Sequence, residues 1–197
     1  MKTEIRVALR MTAVTLVFTG LLYPLAITGV AQVAFPYQAN GSLVTSDGRV
    51  VGSELIAQGF RSPAYFRPRP SAAGADGWDA AASSGSNLGP TSRKLRDRVA
   101  ADVARLRAED PQAPAEVPIE LVTTSASGLD PHLSPAGALW QVARVAAARG
   151  VPVSEVQSLV VARTERRTFG LLGEPRVNVL LLNQDLDRRF GRPAGKR

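Results

Sequence analysis

The sequence predicts an α+β protein in which a single N-terminal transmembrane helix is followed by one helix-rich extracytoplasmic domain. Three observations predict it: an uncharged apolar run over residues 11–35, several later segments with apolar residues every three or four positions, and short β-like runs between Gly- and Pro-rich loops. With 45% hydrophobic and 21% charged residues in a chain of 197, the composition is that of an ordered protein.

Residues 11–35 are long enough to span a membrane, because a bilayer core needs about 20 helical residues. The flank 1–10 carries three basic residues against Glu4, and no further Lys or Arg occurs before Arg49. The positive-inside rule therefore predicts a cytoplasmic flank, with residues 36–197 on the far side. A cleaved signal peptide with Gly29 and Ala31 at its processing site is the alternative, although signal h-regions are shorter, at about 7–15 residues. Both interpretations export the remainder.

Polar and small residues interrupt this apolar segment on one helical face. Pro24 frees a backbone carbonyl and is expected to kink the helix. The threonines permit close approach of a second helix within lipid, or their hydroxyls bond the preceding turn of their own helix. The residues predicted to face a partner in the membrane are Thr12, Thr15, Thr19, Tyr23 and Pro24.

The charge pattern argues against nucleic acid as a partner. The net charge of +7 is spread along the chain. In residues 93–98 basic side chains alternate with Asp97, a pattern typical of a solvated helix face. The absence of cysteine and the single histidine exclude thiolate and multi-histidine metal sites. No phosphate-binding loop and no Asp-Lys-Thr-Gly phosphorylation motif occurs, and a lone membrane helix cannot build an ion pathway by itself. If the chain belongs to a transport machine, it is therefore predicted to be neither the motor nor the pore.

The elements of the exported domain follow in order. Asp47-Gly48 between runs 43–45 and 49–51 predicts a hairpin, and residues 60–90 read as loop. A helix over 91–108, opened by Pro90-Thr91, would bury Leu88, Leu95, Val99, Val103 and Leu106.

A strand is expected at 119–123. Helices at 134–149 and 152–163 start at Ser134-Pro135 and Pro152, and Gly150 ends the first. Their predicted inward residues are Leu139, Val142, Val145, Ala146, Val153, Val156, Leu159 and Val160. Residues 177–182 suit either a strand or a helix, and their spacing favours helix.

One loop brings together serine, aspartate and histidine, the residue types that catalyse acyl transfer. Its sequence is Ser127-Gly128-Leu129-Asp130-Pro131-His132-Leu133-Ser134. An anchored hydrolase using Ser127 or Ser134 with His132 is therefore one hypothesis. The local alternative is that Asp130 and Ser134 cap turns and the following helix. The run 83–90 could likewise form an anion nest or a structural loop.

These segments, taken in order, resemble the C subunit of the potassium-transporting Kdp ATPase, the KdpC family. The resemblance rests on stretches along nearly the whole chain: Tyr23-Pro24, Ala39-Asn40-Gly41-Ser42-Leu43, Gly52-Ser53-Glu54-Leu55-Ile56, Tyr65-Phe66-Arg67-Pro68-Arg69-Pro70-Ser71-Ala72, Ser86-Asn87-Leu88-Gly89-Pro90-Thr91, residues 127–135, residues 144–150 and Gly173-Glu174-Pro175-Arg176-Val177-Asn178-Val179-Leu180. Ser84 and Ala126 depart from glycines that are usual in the family.

The resemblance implies a non-catalytic, single-pass accessory subunit of the bacterial inner membrane that is needed for assembly of a potassium import complex. Its implied partners are the potassium channel-like subunit and the ATP-hydrolysing subunit. It has no intrinsic cofactor and meets ATP only through the complex, where the family is described as raising ATP affinity. An extracytoplasmic domain favours an indirect effect, since ATP is cytoplasmic. An independent envelope-binding module is a third hypothesis.

The loops 127–135 and 173–180 are predicted to be rigid anchors that shape a partner-facing surface. The candidate residues in these and the preceding loop are Ser86, Asn87, Gly89, Pro90, Gly128, Asp130, Pro131, His132, Glu174, Pro175, Arg176 and Asn178.

Overall fold

A computed structural model describes residues 1–193 and contains both helices and short strands. The chain forms two compact units, Met1–Val51 and a second that begins at Gly52. The first unit starts with helix α1, Lys2–Val17, which continues through a π-helical turn, Phe18–Leu22, into α2, Tyr23–Ala34. Helix α3, Pro36–Ala39, follows. The helix thus begins nine residues before the predicted span.

Strands β1, Leu43–Ser46, and β2, Arg49–Ser53, form the predicted hairpin. Asp47 and Gly48 have φ values of 51° and 72°. Positive φ at both central residues is the requirement of the tight hairpin turn whose twist matches its strands. The Asp-Gly prediction is confirmed.

Among the described residues, no helix or strand occurs between Ser53 and Arg93, yet this loop contributes fully buried side chains, including Phe66 and Ala73. Side chains of distant helices supply its backbone with hydrogen-bond partners. Asn183 accepts from the Phe66 N–H and donates to its carbonyl, both at 2.9 Å. Gln141 does the same for Arg67, at 2.9 and 3.0 Å.

Two buried arginines complete this set of contacts. Arg144 donates to the carbonyls of Pro63 (2.5 Å) and Tyr65 (3.1 Å), and Arg149 donates to that of Ala64 (2.7 Å). Arg149 also lies 4.9 Å from the centroid of the Tyr65 ring. Buried backbone groups need partners, so Ala64, Tyr65 and Phe66 can be buried without belonging to a sheet.

Helix α4, Arg93–Glu109, begins two residues later than predicted because Ser92, not Pro90-Thr91, is its N-cap and accepts from the Leu95 N–H. Of its predicted apolar stripe only Leu106 is buried. Leu88 precedes the helix, and Leu95, Val99 and Val103 are half-buried. The helix packs on the domain mainly through its C-terminal part.

The strand expected at 119–123 is wrong. Ile119–Leu121 forms a 3-10 turn after Pro118, whose carbonyl accepts from the Leu121 N–H. Leu121 and Val122 are both buried, whereas adjacent strand residues point to opposite faces. Ile119 is 76% exposed.

The helix predicted over 134–149 is divided into α5, Pro135–Trp140, and α6, Val142–Arg149. Its cap and stop are confirmed: Ser134 accepts from the Gly137 N–H, and Gly150 adopts φ 65°. The break at Gln141 shifts the helical phase, so Trp140 is buried and Leu139, predicted inward, is exposed.

Helix α7, Val153–Ala162, follows Pro152 as predicted. Val156 and Val160 are buried and Leu159 is half-buried, but Val153, in the first turn, is exposed and was wrongly predicted to face inward. Helix α7 contacts helices α5, α6 and α8, and this packing forms the core.

A three-stranded antiparallel sheet closes the domain, in the order β3 (His132–Leu133), β5 (Arg176–Asn178), β4 (Thr164–Glu165). Helix α8, Val179–Phe190, follows β5 directly. Residues 177–182 are therefore strand up to Asn178 and helix from Val179. The favoured helix is right for the last four residues and wrong for the first two.

Candidate functional site

The N-terminal helix presents apolar side chains along its length. The most apolar 18 residues of Lys2–Ala34 are all unburied, and the helix is long and apolar enough to cross a membrane. At 1.5 Å per residue these 33 residues extend over about 50 Å. Its side chains are therefore available to lipid or to another helix.

The backbone of this helix changes at the position of Pro24. The Tyr23 N–H bonds the Phe18 carbonyl, five residues back, in the π-helical turn. Because proline has no N–H to donate, a wider turn before it is one way to accommodate the missing bond. The Thr19 hydroxyl donates to the Thr15 carbonyl of its own helix at 2.7 Å. The partner-facing role of Thr12, Thr15, Thr19, Tyr23 and Pro24 stays a prediction.

In the second unit the sheet joins two of the predicted loops. His132 pairs with Asn178 and Leu133 with Val177, and the Val179 N–H donates to the Pro131 carbonyl at 2.9 Å. The loops 127–135 and 173–180 thus lie side by side, although 37 residues of chain separate them.

Asn178 has a structural position within this pair. Its side chain is buried, donates to the Glu54 carbonyl at 2.7 Å and accepts from the Leu181 N–H at 3.2 Å. It therefore ends β5 and caps α8 at once.

Asp130 and His132 form a small polar cluster beside it. Asp130 accepts from the His132 N–H at 3.0 Å and pairs with Arg69 at 3.3 Å. Partial burial, assisted by the positive charge of Arg176, lowers the pKa of His132, while Asp130 opposes this shift. The imidazole is therefore neutral at pH 7.

The hydroxyls of the proposed hydrolase are engaged elsewhere. Ser127 accepts from the Leu129 N–H at 3.1 Å. Ser134 donates to a Glu120 carboxylate oxygen at 2.6 Å while capping α5. A serine nucleophile must be hydrogen-bonded to the histidine that activates it. Within residues 1–193 neither hydroxyl is hydrogen-bonded to His132.

The remaining predicted loop residues divide into two groups. Ser86 accepts from the Thr124 hydroxyl at 3.0 Å. Gly128, where φ is 70°, lies against the Ser84 carbonyl. The Ser84 N–H and the Ser83 hydroxyl also donate to the Ser127 carbonyl, so residues 83–86 pack on 124–128. The exposed turn before α4 holds the second group, Asn87, Gly89 and Pro90.

Glu174, Pro175 and Arg176 belong to the hairpin formed by β4 and β5. Arg176 pairs with Glu165 at 3.0 Å, and Arg167 pairs with Glu174 at 2.7 Å. Beyond these ion pairs, Thr168 and Leu172 form an isolated bridge. The hairpin is thus held together up to its turn.

Three large apolar side chains stand exposed at the end of this hairpin: Phe169 (90%), Leu171 (79%) and Leu172 (63%). We call them the apolar tip. Sequence reasoning missed it, although an aromatic residue before Gly170 and two leucines between Gly170 and Gly173 are a signal for an exposed apolar turn. Clustered exposed apolar residues mark interaction surfaces.

Comparison with known proteins defines the family. The family model described as the K+-transporting ATPase c chain, KdpC, matches residues 5–188. The potassium-transporting ATPase KdpC subunit of Myxococcus xanthus is 69% identical over 185 residues, which cover 93% of this chain and 87% of that protein. The KdpC subunits of Koribacter versatilis and Caulobacter vibrioides are each 54% identical, and the matches cover 95% and 96% of this chain and 95% of each relative. The chain belongs to the KdpC family.

As a KdpC-family protein, the chain is a component of a potassium transport complex, and partner subunits are implied.

Proposed function

We propose that this KdpC-family protein is a non-catalytic accessory subunit of an ATP-driven potassium importer, anchored in the bacterial inner membrane through residues 11–35. One observation carries the proposal: the helix Lys2–Ala34 is apolar and unburied, and its charged residues lie at its N-terminal end. That asymmetry supports a cytoplasmic N-terminus and an extracytoplasmic domain.

The partners proposed for it are the channel-like subunit and the ATP-hydrolysing subunit. The apolar tip supports a second contact besides the anchor, because Phe169, Leu171 and Leu172 would be costly to leave in water. The rigid β3–β5 pair behind the tip would hold it in place. The predicted residues His132, Arg176 and Asn178 all belong to this sheet. His132 pairs with Asn178 in the ladder, and Arg176 pairs with Glu165 both in the ladder and as an ion pair.

Any effect on ATP affinity is proposed to be indirect. ATP is cytoplasmic, whereas the proposed topology places the folded domain outside, so the subunit would act through assembly of the hydrolysing subunit in its competent state. Potassium itself is not a proposed ligand of the domain, since a net-positive surface repels cations.

Co-purification tests the two contacts separately. Deletion of residues 1–35 should abolish recovery of the other subunits with this chain. Replacing Phe169, Leu171 and Leu172 together by serine should lower that recovery at least several-fold without lowering the thermal stability of the isolated chain. Ile119→Ser is the matched control, because Ile119 is also exposed (76%) and lies outside the tip. Full recovery with both variants would contradict the proposal.

A cysteine-free chain allows the topology to be tested with single reporters. Gln157→Cys, on the exposed face of α7, should react with a membrane-impermeant maleimide in intact spheroplasts. Lys2→Cys should react only after the membrane is opened. The opposite pattern would refute the proposed orientation, and release of a mature chain beginning near Gln32 would refute the anchor.

A further inference from the structure

A cavity of about 590 Å³ lies between the loop 60–78, helix α4 and the start of α6. We call it the arginine cavity, because five of its lining residues are arginines. These are Arg61, Arg67, Arg98, Arg105 and Arg144. The lining carboxylates are Asp76 and Asp102, so cationic groups predominate.

Two of these arginines are neutralised by carboxylates. Glu109 pairs with Arg67 at 2.5 Å and with Arg105 at 3.1 Å, and Asp102 pairs with Arg105 at 3.1 Å. Arg98 differs: within residues 1–193 it has no hydrogen-bond or ion-pair partner, and its Nε and Nη2 atoms are buried. A charge without a partner therefore faces the cavity.

Other buried donors at the cavity also lack an acceptor. The indole Nε1 of Trp78 and the Nε of Arg67 have no partner among the described residues. Leaving a buried donor unsatisfied costs about 1–3 kcal/mol. The unpaired groups at this cavity are all N–H donors, so an acceptor-rich ligand would satisfy them.

The surroundings favour the same sign of charge. Burial, with Arg67 nearby, lowers the pKa of Arg144 to about 10, as expected where positive charges are crowded and desolvated. Trp78 adopts φ 55°, a left-handed conformation that is unusual for a tryptophan. Strained residues of this kind cluster at binding sites.

We propose that the arginine cavity binds a phosphate-class oxyanion, either a free phosphate or the headgroup of an anionic lipid. The donors come from helix α4 (Arg98) and from two positions, 11 residues apart, in the loop 60–78 (Arg67 and Trp78). A tetrahedral group can accept hydrogen bonds from several directions, whereas a carboxylate offers two coplanar oxygens. Phe60, Leu106 and Leu121 on the same walls provide an apolar surface for a carbon portion.

The chain contains its own reporters for this site. Its only two tryptophans, Trp78 and Trp140, both line the arginine cavity. Intrinsic fluorescence of the full chain in a neutral maltoside detergent therefore reads the cavity directly. Titration with sodium phosphate, against sodium chloride at equal ionic strength, should give a saturable change and raise the melting temperature.

Arg98→Gln should weaken this binding on the order of tenfold, the factor that corresponds to about 1.4 kcal/mol. Arg96→Gln is the control on the same helix, because the side chain of Arg96 is 75% exposed. Should Arg98→Gln fail to fold by circular dichroism, Trp78→Phe removes another donor and keeps Trp140 as the reporter. It should weaken binding as well.

Two arms of the experiment separate the sources of the ligand. Saturation by phosphate alone identifies a free anion, and a response only to micelles doped with phosphatidylglycerol, not phosphatidylcholine, identifies a headgroup. The absence of a saturable response in both arms would overturn the proposal. An equal response of wild type, Arg98→Gln and Trp78→Phe would overturn it too.

Discussion

The two side-chain amides that hold the buried loop allow a quantitative test. Asn183 is 2% exposed, and Phe66 is 0% exposed. The Asn183 side chain is hydrogen-bonded to both the N–H and the carbonyl of Phe66. Asn183→Leu keeps the side-chain size and removes both hydrogen bonds of 2.9 Å. The Phe66 N–H and carbonyl are then buried without partners.

Each unsatisfied backbone group costs about 1–3 kcal/mol, so together they cost about 2–6 kcal/mol. Leucine in the same volume returns about 1–2 kcal/mol through apolar burial. We therefore expect the free energy of unfolding to fall by about 3 kcal/mol, which for a domain of this size lowers the melting temperature by about 6–12 °C.

The assay is thermal unfolding of the full chain in maltoside, followed by tryptophan fluorescence and circular dichroism. Gln157→Leu, on the exposed face of α7, is the control and should change stability by less than about 0.5 kcal/mol. Gln141→Leu should resemble Asn183→Leu, and the double variant should lose less than the sum, because the two amides hold neighbouring residues. A loss below about 1 kcal/mol for Asn183→Leu would refute this account of the loop.

Two further predictions concern residues selected from the sequence. Gly128→Ala places a Cβ 2.7 Å from the Ser84 carbonyl oxygen and 2.8 Å from the Ala73 nitrogen at φ 70°, whereas Gly150→Ala meets open space at φ 65°. Gly150→Ala should lower the free energy of unfolding by about 1 kcal/mol because of its φ alone. Gly128→Ala should lower it by at least about 2 kcal/mol more, measured by thermal unfolding. Equal losses for the two variants would contradict the close approach at Gly128. For His132, the lowered pKa means that the unfolded chain binds a proton more readily, so stability should decline as pH falls below 6.5 and level off below the folded pKa. His132→Gln should flatten that slope between pH 7.5 and 5.5, above the range where Glu109 titrates, and an unchanged slope would exclude His132 as its source.

Local signals in the sequence predicted the elements whose ends are fixed by their own residues. Asp47-Gly48 defines a hairpin turn, Ser134 caps a helix and Gly150 ends one, and each effect acts within a few residues. The N-terminal helix, a candidate membrane span, was likewise predicted from the composition of its apolar run alone.

Elements that depend on distant partners were not predictable. Strands β3, β4 and β5 have two or three residues each and exist through their mutual pairing. The segment 119–123 has strand-like composition, but Pro118 and the burial of two consecutive residues turn it into a 3-10 helix. The arginine cavity likewise depends on how loop 60–78 folds against α4, which no spacing along the chain encodes.

The attachment of residues 63–67 to Arg144, Arg149 and Asn183 has a consequence for biosynthesis. The hydrophobic helix precedes the second unit in the chain, so as the proposed anchor it can engage the membrane before that unit is made. The loop, in contrast, acquires its full set of partners only when synthesis has passed Asn183. Membrane insertion would thus come before maturation of the domain, and a ribosome that stops short of α8 would release a tethered, protease-sensitive product.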